Sequence, residues 1–228
     1  MSPHPHHDHS VYNPSRPFVS ARKVLSSMPA SVADELQLVS MHSTSKGMVG
    51  ECGLRGGYAE FKNWDPEVID ELYKTAAINL CSNTIGQLAV GLMVNPPKPG
   101  DSSYPLYNTE VSSLKESLCR RAQKISEAFN ALEGVSCQQT DGAMYAFPQI
   151  SLPPRFVDEA KAQGKTPDVL YCLELLDAEG LCCVPGSGFR QKDGTWHLRT
   201  TILPGEEIFD SVIQKFARFH NSFLQRWR

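Results

Sequence analysis

The sequence predicts an α/β protein in which the end of a larger α/β domain is followed by a smaller α+β domain. Three observations carry this. Strand-like and helix-like stretches alternate along the chain. The run Asn95-Pro96-Pro97-Lys98-Pro99-Gly100 interrupts them and can continue neither helix nor sheet. Beyond it lies one long apolar stripe of helical period. The expected organisation is a disordered His- and Pro-rich tail over 1–16, the larger domain's portion over 17–100 and the small domain over 101–228.

The tail is rich in Pro, His and Ser and lacks periodicity. Its His4, His6, His7 and His9 are of a kind that can hold a divalent metal weakly, although an incidental solvated tail is the simpler reading. Residues 16–28 are helical in pattern and break at Pro29. Residues 36–42 read as a strand, followed by a polar turn over 43–47. A loop with Gly50, Gly53, Gly56 and Gly57 leads to a short strand over 58–61. Asp65-Pro66-Glu67 is a helix start, with an N-cap residue and then Pro at the first position. That helix is expected to reach about Asn79, and a second covers 85–93.

Past the linker, Val111, Leu114, Leu118, Ala122, Ile125, Phe129 and Leu132 are three or four residues apart, one stripe on a long amphipathic helix. Lys115, Glu116, Arg120, Arg121 and Lys124 lie off that stripe and are expected to form a solvated face. Strands are expected at 136–139 and 144–147, a helix over 167–179, and strands at 182–184 and 197–202. A last helix places Phe209, Val212, Phe216, Phe219, Phe223 and Trp227 on one face.

Composition excludes several function classes. With 41% hydrophobic and 21% charged residues, the chain can bury an ordinary core. A net charge of -3 gives no electrostatic case for a nucleic-acid partner. No apolar run approaches the roughly 20 residues that span a bilayer, so no membrane partner is expected. The start lacks the apolar stretch of a signal peptide. Seven scattered cysteines without a C-x-x-C pair point to reduced thiols and no structural metal. The cytoplasm is the expected compartment, with a mitochondrial or peroxisomal form left open.

The chemistry concentrates in the run from His42 to Tyr58. Lys46 follows a strand, sits among Ser43, Thr44 and Ser45, and precedes several glycines and Arg55. Hydroxyls, bare amides and a guanidinium suit the phosphate of an anionic cofactor, and a lysine amine can join a carbonyl. A surface lysine in a polar loop is the competing reading. The order is not that of a nucleotide P-loop.

Ser43-x-x-Lys46, the glycines and then Arg55-Gly56-Gly57-Tyr58 resemble the cofactor-lysine motif of class I and II aminotransferases, of pyridoxal-phosphate fold type I. The branch most resembled is alanine aminotransferase, which shares the nine-residue step from Lys46 to Arg55. The resemblance implies that Lys46 is the catalytic lysine bound to pyridoxal 5'-phosphate, with Ser43 and Arg55 on the phosphate. Gly142–Pro148 looks like a small-domain strand of that family. Pro185-Gly186-Ser187-Gly188-Phe189 resembles the turn before its substrate strand, with Arg190 where glycine is usual. On that strand, Arg199 matches the arginine that binds the substrate α-carboxylate. Without the flanking motif, an arginine paired with a structural acid is the commoner reading. Ser82-Asn83 is similar to a segment near the neighbouring subunit of the family homodimer, or else a helix cap.

The implied reaction converts L-alanine and 2-oxoglutarate to pyruvate and L-glutamate. A glutamate:glyoxylate aminotransferase is the alternative enzyme. The family's upstream cofactor contacts have no counterpart here, so the chain is expected to be truncated. A non-catalytic fragment or dimerisation module is the alternative from outside enzymology.

Overall fold

The computed structural model describes residues 11–47 and 49–228, so the four tail histidines lie outside the described residues. The chain forms two units, 1–112 and 113–228, with the division inside the long helix.

In the first unit, Ser20 caps α1 (Ala21–Ser26) and Pro29 precedes α2 (Ala30–Ala33), so the helical pattern over 16–28 is interrupted where proline dictates. Strand β1 (Leu38–Ser43) pairs antiparallel with β2 (Gly57–Lys62), from Leu38 opposite Lys62 to Ser43 opposite Gly57. Asn63, in the left-handed region at φ 58°, donates from its side chain to the carbonyls of Ala33 and Leu36, closing the end of α2. Helix α3 (Pro66–Ala77) begins as its sequence states, with the Asp65 carboxylate accepting from Glu67 N–H at 2.8 Å. Helix α4 (Thr84–Val94) is capped by Asn83, whose Oδ1 accepts from Ile85 N–H.

Helix α5 (Tyr104–Asn130) carries the predicted stripe as far as Phe129, with Leu118, Ala122, Ile125 and Phe129 buried. The sheet of the second unit contains β3 (Val135–Ser136), β4 (Tyr145–Ala146), β5 (Gln149–Ile150), β6 (Val184–Pro185) and β7 (Trp196–Thr201). All pairings are antiparallel. Central β7 pairs with β4 and β5 and with β6. Helices α6 (Pro154–Ala162), α7 (Pro167–Glu179) and α8 (Glu206–Trp227) complete the unit. Phe156, Tyr171, Phe209 and Phe223 are almost wholly buried and form the aromatic heart of its core. Strand β5 and helix α6 were not anticipated, although the Pro153-Pro154 start with Phe156 and Ala160 four apart is a helical signal.

One expectation is corrected. Arg121 is not on a solvated face. It is only 5% exposed, and its Nη1 donates to the carbonyls of Ile202, Leu203 and Pro204 at 2.9, 2.8 and 2.7 Å. Those carbonyls leave the end of β7 without strand partners, and one planar cation satisfies all three. Its neighbour Arg120 does face solvent, in a two-point pair with Glu206 at the start of α8.

Candidate functional site

In the first unit the candidate site is the connection of the β1–β2 hairpin, residues 44–56. Buried Thr44 fastens it: its N–H donates to Gly56 O at 3.0 Å, its hydroxyl to the same oxygen at 3.2 Å, and its carbonyl accepts from Glu51 N–H at 2.8 Å. The polar turn is thereby held at the strand end. Ser43, Lys46, His42 and Tyr58 line a recess of about 470 Å³ beside it. His42 and Tyr58 are register partners, with ring centroids 6.1 Å apart edge to face. The Ser43 hydroxyl oxygen accepts from Ser45 N–H at 3.4 Å. Lys46 is exposed, and its ammonium has no hydrogen-bond or ion-pair partner among the described residues.

Arg55 is placed differently. It follows the 3-10 turn Cys52–Leu54 in the left-handed region, and its Nη1 donates to Cys52 O at 3.2 Å. It belongs to the same loop but not to the lining of the recess. The backbone beneath it is seated on α4. A Cβ on Gly56 would meet Gly86 O at 2.5 Å, and one on Gly86 would meet Arg55 O at 2.8 Å and Leu54 O at 2.9 Å. Asn83 Nδ2 also donates to Leu54 O at 2.8 Å. Asn83 and Gly86 thus hold the arginine-bearing turn, a role that only their contact with residues distant in the chain, 29 apart for Asn83 and Leu54, reveals. These residues fit a phosphorylated aldehyde in part: an unengaged amine and a hydroxyl share one recess, with an arginine on the same loop.

In the second unit Arg199 sits mid-strand on β7, opposite Val184. Its guanidinium carbon is 4.5 Å from the Tyr145 ring centre and 5.0 Å from that of Phe189. Among the described residues no carboxylate pairs with it, so the structural-acid alternative finds no support. Two ring faces restrict the guanidinium while leaving its donors unused among the described residues. Beside it, Phe147 stacks on His197, 9° from parallel at 5.0 Å. Burial lowers the His197 pKa, opposed by the charge of Asp168.

Another recess, of about 740 Å³, is lined by Gln123, Ser126, Glu127, Asn130, Ala131 and Gln139. The side chains of Ser126 and Asn130 there are spent on nearby backbone, Asn130 bonding Ser126 O and both backbone groups of Cys137. It contains none of the predicted site residues.

No family model matches the chain. It is 53% identical over 94% of its length to a protein described as probable alanine aminotransferase, mitochondrial, of Dictyostelium discoideum, of which it covers 40%. It is 49% identical over 96% of its length to glutamate–glyoxylate aminotransferase 2 of Arabidopsis thaliana, covering 45% of that protein. A solved alanine aminotransferase from Pyrococcus furiosus superposes with TM-score 0.73 at 24% identity, over 95% of this chain and 48% of that one. The chain therefore spans less than half the length of the curated relatives it matches. Along nearly its whole length it is a homologue of alanine and glutamate–glyoxylate aminotransferases, with the fold type I architecture in the portion it contains.

Proposed function

We propose that the chain carries the cofactor lysine and the substrate-carboxylate arginine of an aminotransferase acting on L-alanine and 2-oxoglutarate. The observation that carries this reading is the free amine of Lys46 beside Ser43 in one recess. Lys46 is the attachment point for pyridoxal 5'-phosphate, and Ser43 and Arg55 are its phosphate ligands. When bound, that cofactor supplies the electron sink for a substrate carbanion. Lys46 Nζ would take the proton from the substrate Cα as a base and hand it on as an acid within the same half-reaction, and would move a proton the opposite way, to the acceptor's Cα, in the second. Arg199 receives the substrate α-carboxylate through two parallel hydrogen bonds, its plane held by Tyr145 and Phe189.

Mixing the purified chain with pyridoxal 5'-phosphate and then borohydride should leave a stable covalent adduct, mapped by mass spectrometry to Lys46. The same treatment of Lys46→Ala should leave none. An adduct spread over surface lysines, or absent from Lys46, overturns the assignment. The likeness to a glutamate–glyoxylate aminotransferase at 49% identity favours a second reading, with glyoxylate as amino acceptor. Comparing glyoxylate with 2-oxoglutarate as acceptor in an active form separates the two.

The proposed assembly is a homodimer. It is supported by the exposure of Leu88 and Leu92 on α4, at 62% and 68%. Sedimentation of the chain should give a dimer mass, and Leu88→Glu with Leu92→Glu should shift it to the monomer. A monomer before substitution would count against the assembly. Seven free cysteines fit a reducing compartment such as the cytoplasm.

A further inference from the structure

We infer that Asp168 is a positioning residue for Arg199, acting through the turn that presents Phe189. The inference rests on the proposed carboxylate role of Arg199 for its functional consequence, and on geometry for the rest. Asp168 lies in the first turn of α7 and is 3% exposed. A buried carboxylate is costly unless hydrogen-bonded. No cation pairs with this one among the described residues. Its charge is instead met by two backbone amides, one in the first turn of α7 and one outside the helix. Oδ1 accepts from Val169 N–H at 3.0 Å, and Oδ2 accepts from Ser187 N–H.

The second of these bonds leaves the helix. Ser187 belongs to the 3-10 turn Gly186–Phe189, and its hydroxyl also meets Thr166 Oγ1 at 3.3 Å. The turn is therefore tied at its second residue to the start of α7. Its first residue, Gly186, is pressed on β7, since a Cβ there would fall 2.5 Å from His197 Cβ and 2.7 Å from His197 O. Its last residue, Phe189, supplies one ring wall of Arg199 and meets Phe147 edge to face at 5.4 Å. Removing Asp168 frees the middle of this turn. The Phe189 ring then departs from Arg199, and the guanidinium loses one of the two surfaces that order it. A carboxylate ligand must then order the arginine itself, which weakens binding.

The test uses NMR of the full 228-residue chain with labelled arginine, the Arg199 signals being assigned by Arg199→Lys. In the unaltered chain the Arg199 side-chain protons should carry ring-current shifts from Tyr145 and Phe189. Asp168→Ala should remove the Phe189 part of that shift. It should also weaken binding of 2-oxoglutarate, followed on the Arg199 Nε–H signal, by about fivefold. In a Phe189→Leu background Asp168→Ala should cost nothing further, because the ring through which it acts is gone. Equal losses in both backgrounds, or an Arg199 shift that Asp168→Ala leaves unchanged, overturn the inference. Asp168→Asn keeps the volume and one acceptor oxygen, which covers an unfolded alanine variant. It should lose part of the ring shift, and an unaltered spectrum again overturns the inference. If 2-oxoglutarate leaves Arg199 unmoved in the unaltered chain, the carboxylate reading fails. Loss of the ring shift in Asp168→Ala still supports the positioning role.

Discussion

At the scale of single residues, the arginines show how little charge alone says about placement. Arg120 and Arg121 are adjacent, yet one is 59% exposed in its side chain and the other is buried on three carbonyls. Arg190 occupies a position where the family resemblance implied glycine, and its backbone does lie in the left-handed region at φ 52° and ψ 50°. That conformation crowds a Cβ, while glycine adopts it freely but loses more chain entropy on folding. Arg190→Gly is therefore expected to stabilise the chain modestly, by up to about 1 kcal/mol, read as a raised denaturant midpoint with unchanged slope. A lowered midpoint would show that the arginine side chain contributes more than its backbone costs.

At the scale of elements, the hairpin connection and helix α4 act as one piece. Gly56 and Gly86 let two backbones meet where no side chain fits. Gly86→Ala gains helix propensity but forces apart Leu54, Arg55 and α4. Overpacking of this kind costs about 1–3 kcal/mol, more than propensity returns. The variant should unfold at lower denaturant and yield less borohydride-trapped adduct on Lys46. An unaltered midpoint would show that the turn can yield. The strand and polar turn that carry Lys46 were legible because both are written locally in the sequence. The seat beneath Arg55 was not, because it depends on residues some 30 positions away.

The long helices of the second unit set its response to pH. His220 is fully buried among Tyr171, Phe216 and Phe223. Its Nε2 lies 2.8 Å from Glu133 O, so it carries the proton, and Nδ1 accepts from the Tyr171 hydroxyl at 2.9 Å. Burial holds the His220 pKa below its ordinary value, despite the favourable Glu133 carbonyl. In the folded state it stays neutral where the unfolded chain would take up a proton. Its contribution to stability is thus complete above pH 6.5, the ordinary value, and declines as pH falls below it. His197 adds a loss of the same sign. Denaturant unfolding at pH 7.5 and 5.5 should show lower stability at the acid value, and His220→Gln should flatten part of that difference. A difference unchanged by the substitution would remove His220 as its source.

Across the whole molecule, the two units differ in how they cover apolar surface. In the second, Phe129, Phe156, Tyr171, Phe209, Phe216, Phe219 and Phe223 are all buried. In the first, Met41, Tyr73, Ile78, Leu80 and Leu92 are each more than 65% exposed. The chain as a whole matches relatives of which it spans 40–45%.

What the sequence determined by itself was periodic or chemically local. Helix α7 was expected over 167–179 and is found at Pro167–Glu179, because a proline start and a glycine stop bracket it. The α8 stripe and the strand–lysine–glycine run were equally readable, since each is written within a few turns of chain. Tertiary structure alone decided that Arg121 is buried, that Asn83 and Gly86 hold the Arg55 turn, and that two rings bracket Arg199. Each of these depends on partners 29 to 83 residues apart, or on a ring placed by a separate turn. Such burial and close approach arise only once the elements pack, and no local pattern records them.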